Sequence, residues 1–377
     1  MTRASFALVA ISLACSNSGG SPDAGPPDLG FTPSNVVLGA LDFGGVGDVI
    51  ISANHTIQTD GGGMLPNDNA GAYHYTEVTQ QSGPKLGVFT VKSLTIAAGA
   101  TAVAQGADAL VIVAINQITV QGNLYGNSQF QNGARIGPGA VDVADPNSVG
   151  QGLGGGGAAT GDRSAGGGGF CGKGGGGATL LTNPALGGVT YGVAALTPLV
   201  VGSSGGDGAL SESASGGAIQ LVAGNSITVS GAIHVGGKGG GAGGTYMAGS
   251  SQEASGGGSG GAILLESQAI TVSGILAANG AGGGQGNSGA RGADATPDLI
   301  VAMSGNDGMS GSIGGNGSAG AVLNATAGQV AAATSAGGGG GGAGWIRLNT
   351  LSGMATMTGM LSPSITTPCA TQGQVAP

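Results

Sequence analysis

Acidic side chains are the residues of this sequence that could do chemistry, and they are spread singly along the chain. The 18 Asp and Glu residues include no Asp-Asp pair and no cluster within any repeat. Polysaccharide hydrolases and lyases need paired carboxylates, or Asp clusters that hold calcium beside a basic residue. Asp108 and Glu266 lie near predicted strands, but at different positions of the repeat. We therefore predict no catalytic residues, with a polysaccharide lyase or hydrolase as the runner-up.

The sequence gives equally little indication of a metal or cofactor site. Asp207 and Asp307 stand directly before a Gly, which differs from the calcium nonapeptide pattern GGxGxDxUx. His55, His74 and His234 have no Cys or Ser companion at ligand or nucleophile spacing. GxGxxG spacings arise by composition alone when 87 of 377 residues are Gly, so they predict no dinucleotide site. We predict neither a metal nor a cofactor.

The N-terminus predicts export. Arg3 precedes a short apolar run, which is the outline of a secretory signal. Cys15 after "SLA" resembles the lipobox of bacterial lipoproteins, although Ser12 stands where those proteins usually have Leu. The resemblance implies a signal peptide over 1–14 and a lipid on Cys15; ordinary signal cleavage nearby and a structural N-terminus are the alternatives. Residues 15–35 are rich in Ser, Gly and Pro and predict a disordered tether.

Two further cysteines, Cys171 and Cys369, remain in the predicted mature chain. An exported protein meets oxidising conditions, and two cysteines allow one connectivity. We predict a disulfide between them; the alternative is two unpaired residues. Neither cysteine has a partner at zinc-ligand spacing.

The chain contains four copies of one sequence pattern, at 109–124, 218–235, 262–278 and 345–361. Each copy begins with two apolar residues two apart and continues into a second alternation that ends in Gly and one more apolar residue. Period-two alternation with β-branched residues predicts strands. The first pairs are Leu110/Ile112, Ile219/Leu221, Ile263/Leu265 and Ile346/Leu348. The second elements are Ile118/Val120/Gly122/Leu124, Ile227/Val229/Gly231/Ile233, Ile270/Val272/Gly274/Leu276 and Ala355/Met357/Gly359/Leu361.

Three short strands per copy predict an all-β fold, a right-handed parallel β-helix of the pectin-lyase-like kind, over residues 36–362. Weaker copies at 48–62, 93–105 and 320–333 suggest further coils, and 363–377 is predicted to be a tail. The four repeat glycines, at positions 122, 231, 274 and 359, suit corners because Gly tolerates positive φ and leaves room for a sharp bend. An antiparallel β-sandwich is the alternative fold, since alternation alone does not fix strand direction.

Glycine runs separate the copies, at 152–177, 236–244, 279–292 and 335–344. They are either flexible loops between coils or extended polyglycine segments packed on one another. The second arrangement is possible because Gly has no side chain and its amide groups can bond to neighbours on all sides.

Charge and hydropathy exclude several classes of function. The net charge is −9 and the nine Lys and Arg residues are scattered, so no basic face is available for nucleic acid. The apolar share of 40% allows a buried core. No run of apolar residues is long enough for a spanning helix.

The glycine runs joined to "AILLESQAITVSGILAANG" resemble the glycine-rich, PGRS-like surface proteins of bacteria over about residues 100–362. The lipobox-like start with its tether is similar to myxobacterial lipoproteins. The mycobacterial family begins with a helical Pro-Glu domain that this chain lacks. The resemblance implies an exported protein of the outer membrane or cell surface, or alternatively a secreted one. We expect a structural or adhesive role without catalysis, through self-association or polysaccharide and cell-surface contact; carbohydrate binding or cleavage is the alternative.

Overall fold

The computed structural model describes residues 26–130, 136–143, 145–208, 212–246, 250–251, 253–287, 289–308, 312–331 and 335–377. The predicted signal peptide, Cys15 and the first part of the tether lie outside these residues. The described chain is built from strands, with one short 3-10 turn at Leu38–Ala40. The strands are β1 (Asp48–Ile51), β2 (His55–Gln58), β3 (His74–Val78), β4 (Leu86–Val91), β5 (Ser93–Ile96), β6 (Thr101–Gln105), β7 (Ala109–Ala114), β8 (Gln117–Val120), β9 (Asn123–Tyr125), β10 (Ala218–Val229), β11 (Ala232–His234), β12 (Thr245–Tyr246), β13 (Ser250–Ser251), β14 (Ala262–Val272), β15 (Ile275–Ala277), β16 (Val330–Ala331), β17 (Ser335–Ala336), β18 (Trp345–Thr350), β19 (Thr356–Met357), β20 (Met360–Ser362) and β21 (Ala370–Gln374).

Two parallel sheets contain most of these strands. Sheet 1 follows the order β1-β5-β8-β10-β14-β18-β21, with β3, β4, β7 and β19 attached, and sheet 2 follows β2-β6-β9-β11-β15-β20. The β3–β4 pair is antiparallel, whereas the pairs along both orders are parallel. The chain is therefore all-β with parallel sheets. The antiparallel sandwich is wrong, because the strands along both of these orders pair in parallel with their counterparts in the next copy.

The register of this pairing confirms the repeat alignment predicted from the sequence. In the first strands, Ile219 lies opposite both Leu110 and Ile263, and Ile263 lies opposite Ile346. The second and third strands follow the same rule, with Ile227 opposite Ile118 and Ile270, and Ile233 opposite Leu124 and Leu276. Residues paired in this way are of similar type because a side chain that points into the core in one copy lies directly beside the corresponding side chain of the next copy.

The core lies between the two sheets and consists of these stacked aliphatic side chains. Leu110, Ile118, Leu124 and Ile219 are 0% exposed. Each fully buried aliphatic side chain contributes roughly 1.5–3 kcal/mol. The first strands are buried on both faces, since Val111 and Val113 pack in a second cluster on the outside of sheet 1. Burial on both faces explains the unbroken apolar run of β7.

Both ends of the predicted solenoid need correction. Residues 26–35, assigned to the tether, lie on the outer face of sheet 1, where Leu29 and Phe31 join the second apolar cluster. Residues 363–377, assigned to a tail, contain β21, which pairs with β18 over Ile346–Thr350. Both segments are ordered because each covers a strand face or edge that would otherwise be exposed.

The weaker copies differ in outcome. Residues 48–62 and 93–105 supply strands to both sheets, in parallel register with one another. The third, 320–333, contributes the two residues of β16, which form a small antiparallel pair with β17. Its Ala- and Gly-rich sequence lacks the large aliphatic pairs that fill the core elsewhere.

The repeat glycines at positions 122, 231, 274 and 359 lie one above another, for a reason that differs from the prediction. None of the four has a positive φ. A methyl group on Gly274 would instead overlap the carbonyl oxygen of Gly231, which accepts the Ile275 N–H at 2.8 Å. Gly359 has the same relation to Gly274, and Gly231 to Gly122. The constraint is close approach between successive copies.

Replacement of Gly274 by Ala tests this column. The added methyl group must displace the neighbouring backbone, so we expect Gly274→Ala to lower the free energy of unfolding by about 1–3 kcal/mol. Gly39→Ala is the control, because a methyl group at Gly39 meets nothing within 4 Å. Urea unfolding followed by circular dichroism measures both; equal midpoints for the two variants would contradict the close-approach argument.

The structure joins Cys171 and Cys369 by a disulfide, with the two Cα atoms 5.7 Å apart. Cys171 lies within a glycine run and Cys369 immediately precedes β21, so the bond links the glycine-rich part of the chain to the last strand of sheet 1. The 198-residue separation gives about 5 kcal/mol in the chain-entropy treatment.

We expect reduction of this disulfide to lower the thermal midpoint strongly, because it releases a long loop in the unfolded chain. Differential scanning calorimetry with and without a phosphine reductant measures the effect. The double variant Cys171→Ser/Cys369→Ser should melt at the lower temperature under both conditions. A reductant effect that persists in the double variant would show another cause.

Candidate functional site: a polyglycine lattice and its outer faces

The glycine runs form extended segments that are buried and hydrogen-bonded to one another. Residues 164–169 and 335–344 are buried throughout, although they carry almost no side-chain atoms. Their backbone N–H groups donate to carbonyl groups of other segments rather than to their own. The runs are therefore ordered, as the second of the two predicted arrangements requires.

The hydrogen-bond partners repeat every three residues. Ala165 and Gly168 donate to Ala254 and Gly257 of one neighbour, both at 2.9 Å. Gly166 and Gly169 donate to Gly157 and Gly154 of another, at 2.9 and 2.8 Å. A three-residue period with no internal hydrogen bond is the geometry of the polyproline II helix. Each segment is thus a rod whose amide groups point in three directions.

The segment 337–344 shows how completely such a rod can be surrounded. Gly338, Gly339 and Gly340 donate to three different segments, through the carbonyl groups of Gly284, Ala165 and Thr326. The carbonyl groups of the same three residues accept from three more segments, through the N–H groups of Gly315, Gly257 and Gly175. Six neighbours around one rod define hexagonal packing, and we call this array the polyglycine lattice.

At most glycine positions inside this lattice no larger residue fits, and the few other interior residues are mainly Ala and Ser. A methyl group on Gly167 would overlap the carbonyl oxygen of Gly340, and one on Gly256 would overlap that of Gly166. The rods are so close that backbone occupies the volume that side chains fill in an ordinary core. The runs are glycine-rich because of this contact distance.

The hydrogen bonds arrange the rods in five layers. The third layer leads directly into the first strands β10, β14 and β18, and the second layer continues from the third strands β11 and β15. The lattice is therefore a lateral extension of the two sheets. In order, the layers are 290–295 and 302–305; 235–243, 278–285 and 313–318; 214–217, 254–261, 337–344 and 323–328; 203–208, 164–169 and 174–178; 154–157 and 185–189.

Aliphatic side chains occupy the outside of the lattice. Leu186 and Val189 on the fifth layer are 78% and 60% exposed, and Leu153, just before the rod 154–157, is 76% exposed. We call these three residues the leucine face. On the opposite side, Ile300 and Met303 beside the first layer are 68% and 59% exposed.

Titratable groups come together at one place that the sequence did not indicate. Burial is the main cause that raises the pKa of Asp108, and the charge of Glu77 adds to it. The backbone N–H of Ala107 holds the pKa of Asp60 below its ordinary value. Burial and the charge of Asp108 raise the pKa of Tyr75 to about 12. Its hydroxyl donates to the Thr59 carbonyl at 2.8 Å, a structural contact between β3 and the residue that follows β2.

A second polar group surrounds Asp68. The Ser52 backbone N–H and hydroxyl both donate to this carboxylate, at 2.6 and 2.7 Å, and they lower its pKa to about 2. His55 Nε2 lies 2.8 Å from the other oxygen. The carboxylate stands between the serine and the histidine, so the imidazole is not placed to activate the hydroxyl as in a catalytic triad.

The other candidates from the sequence have structural contacts. His74 Nε2 lies 2.6 Å from the Gly44 carbonyl oxygen, and His234 is buried with an edge-to-face contact to Tyr125. Asp207 accepts from the Ser255 hydroxyl at 2.7 Å, and Asp307 from Gln285 at 2.8 Å. Among the described residues, no group of three His, Cys, Asp or Glu side chains could hold a metal ion.

Glu266 holds the N-terminal segment 28–36, which we call the clasp. Its carboxylate is 1% exposed and accepts from the Ser34 N–H and hydroxyl at 3.0 and 2.8 Å. Gln220 and Asn349, on the strands either side of β14, donate to the same carboxylate at 2.8 and 3.1 Å. Sequence gave no signal for this site, since Ser34 and Glu266 are 232 residues apart.

Loss of the Glu266 carboxylate should release the clasp. Glu266→Ala leaves several buried donors without an acceptor, so we expect the free energy of unfolding to fall by about 2–4 kcal/mol. Glu77→Ala is the control, because Glu77 forms an exposed pair with Lys85, a kind of contact worth about 0–1 kcal/mol. Urea unfolding measures stability, and limited proteolysis reports cleavage within 28–36. Glu266→Ala protein that resists both treatments like wild type would exclude the clasp.

Within the described residues, no helix is long and apolar enough to cross a membrane. The chain matches no protein-family model, no curated protein and no solved structure.

Proposed function

We propose that the protein is a structural, adhesive protein of the bacterial surface, exported by residues 1–14 and held at the outer membrane by a lipid on Cys15. Its body is a right-handed parallel β-helix, and the polyglycine lattice extends that body sideways. The in-register stacking of three strands per copy supports the β-helix.

The observation that carries the proposal is the pairing of a stiff lattice with uncharged aliphatic outer side chains. Every interior rod is fixed by backbone hydrogen bonds to several others, each worth about 0.5–1.5 kcal/mol net. Such a body presents Leu153, Leu186 and Val189 to solvent at high exposure. A rigid surface with exposed apolar groups is suited to contact with another surface, and exposed apolar patches commonly mark interaction sites.

Carbohydrate cleavage remains the second candidate because of Asp60 and Asp108. Their pKa values move in opposite directions, which is the division of roles that a general acid and a base require. Against this candidate, Asp108 is 4% exposed, and its backbone carbonyl accepts the Thr59 hydroxyl at 2.6 Å. These contacts favour a structural role for Asp108, which joins the start of β7 to the end of β2.

Two measurements test the proposal. Growth with a fatty-acid analogue should label wild-type protein and leave Cys15→Ser unlabelled and released into the medium; an unlabelled wild type would remove the anchor. Cells carrying the wild-type protein should adhere to one another or to a surface more than cells with the released variant. Equal adhesion by the two kinds of cell would overturn the adhesive role.

An assay for reducing ends tests the second candidate. Release of reducing ends from polysaccharide by the wild-type protein, but not by Asp108→Asn, would favour carbohydrate cleavage.

A further inference from the structure

We propose that the leucine face docks onto the same face of a second copy of this chain and forms a two-fold dimer. The proposal deepens the adhesive function above by naming the partner of one face. The proposed interface consists of Leu153, Leu186 and Val189, at the fifth layer of the lattice.

The spacing of the side chains produces one apolar ridge. Leu186 and Val189 are three residues apart on one rod, so they point to the same side, about 9 Å apart along a polyproline II helix. The neighbouring rod is joined to this one by the Gly157 N–H, which donates to the Leu186 carbonyl at 2.8 Å, and it places Leu153 on the same layer. The two residues between the ridge positions, Gly187 and Gly188, face the backbone of Gly174 and Gly154 inside the lattice, so the ridge positions alone direct side chains to solvent.

The ridge also ends the lattice. Inside, each rod approaches its neighbours so closely that a methyl group would overlap backbone, as at Gly167. A leucine on the outer layer therefore prevents a further glycine rod from joining. A partner that docks here must therefore meet exposed aliphatic side chains, and a second leucine face offers the same kind of side chain.

Charge selects this face for self-association. The chain carries a net charge of −9, so two copies repel each other over most approaches. Residues 146–161 and 174–206, which include both rods of the fifth layer, contain no charged residue. The opposite face contains Arg291, Asp294 and Asp298 near its exposed aliphatic groups. Asp162 and Arg163 border these stretches and carry opposite charges, with Arg163 donating to the Asn183 carbonyl at 3.4 Å, so the leucine face has no net charge to repel a second copy.

The chemistry of the face fits a second copy better than a sugar polymer or a membrane. Sugar rings commonly stack on exposed aromatic side chains, but Tyr191 beside the face is half-buried, packs against the second apolar cluster, and donates its hydroxyl to the Val201 carbonyl at 2.6 Å. An anionic lipid surface attracts basic residues, which these two stretches lack. An apolar, uncharged and self-complementary patch is what a two-fold interface requires.

Sedimentation velocity tests the dimer on the mature chain carrying Cys15→Ser, which removes association caused by lipid alone. A small apolar interface predicts a dissociation constant on the order of 1–100 µM. The double variant Leu153→Ser/Leu186→Ser should raise it at least about tenfold. The control Ile300→Ser/Met303→Ser, on the opposite face, should leave it within about twofold. Since all four side chains are mostly exposed, circular dichroism should show the same fold in both variants.

A second variant keeps the test sharp. Val189→Glu places two like charges across the two-fold axis and should abolish the dimer without altering the lattice interior. A monomeric parent at all concentrations, or dimers of unchanged affinity in the leucine-face variants, would overturn the proposal. Adhesion by a monomeric parent would leave the adhesive function standing without the dimer. A dimer whose cells do not adhere would reject that function and keep the pairing.

Discussion

Backbone contact without side chains is the constraint on which this structure depends. The same requirement governs two regions that look unrelated in sequence. In the sheets, Gly231 and Gly274 let successive copies approach until one carbonyl oxygen fills the space of a Cβ. In the lattice, Gly167 and Gly256 do the same between rods. A chain that meets itself at this distance is joined by amide groups rather than by apolar side chains.

Because amide groups rather than apolar side chains join the rods, the lattice depends on the sheets for its stability. Glycine loses more conformational freedom on folding than any other residue and buries little apolar surface, so its rods gain stability mainly from hydrogen bonds of modest net strength. The sheets supply the hydrophobic contribution that the rods lack, because the aliphatic side chains stacked between them are buried. The rods 254–261 and 337–344 run directly into β14 and β18, so strand register sets where each rod begins. The disulfide between Cys171 and Cys369 holds the two parts together at a second point.

The sequence predicts one of these regions well and the other poorly, for a physical reason. Ile227 and Ile270 identify a stacking level because they are large, apolar and repeated, and the observed register agrees. A glycine run carries no such label: nothing in "GGGG" specifies that Gly168 meets Gly257 and that Gly342 meets Gly168. The sequence therefore allowed an ordered lattice without indicating which rods are neighbours. The clasp could not be predicted for a different reason. In the sequence Glu266 is one more isolated carboxylate, and only the fold brings Ser34 into hydrogen-bonding contact with it.

The clasp also decides how a pull on the N-terminus would travel through the proposed surface-held protein. Thr32 donates to the Ala376 carbonyl at 2.8 Å, and Ser34 is held by Glu266, so the start of the described chain is fastened to the last copies. Gln268 adds a bond to the Leu29 carbonyl at 3.0 Å. Force from an anchor would therefore load β14 and the C-terminal segment before it reached β1. The first copies, which have only one neighbour in each sheet at β1 and β2, are thereby kept out of the load path.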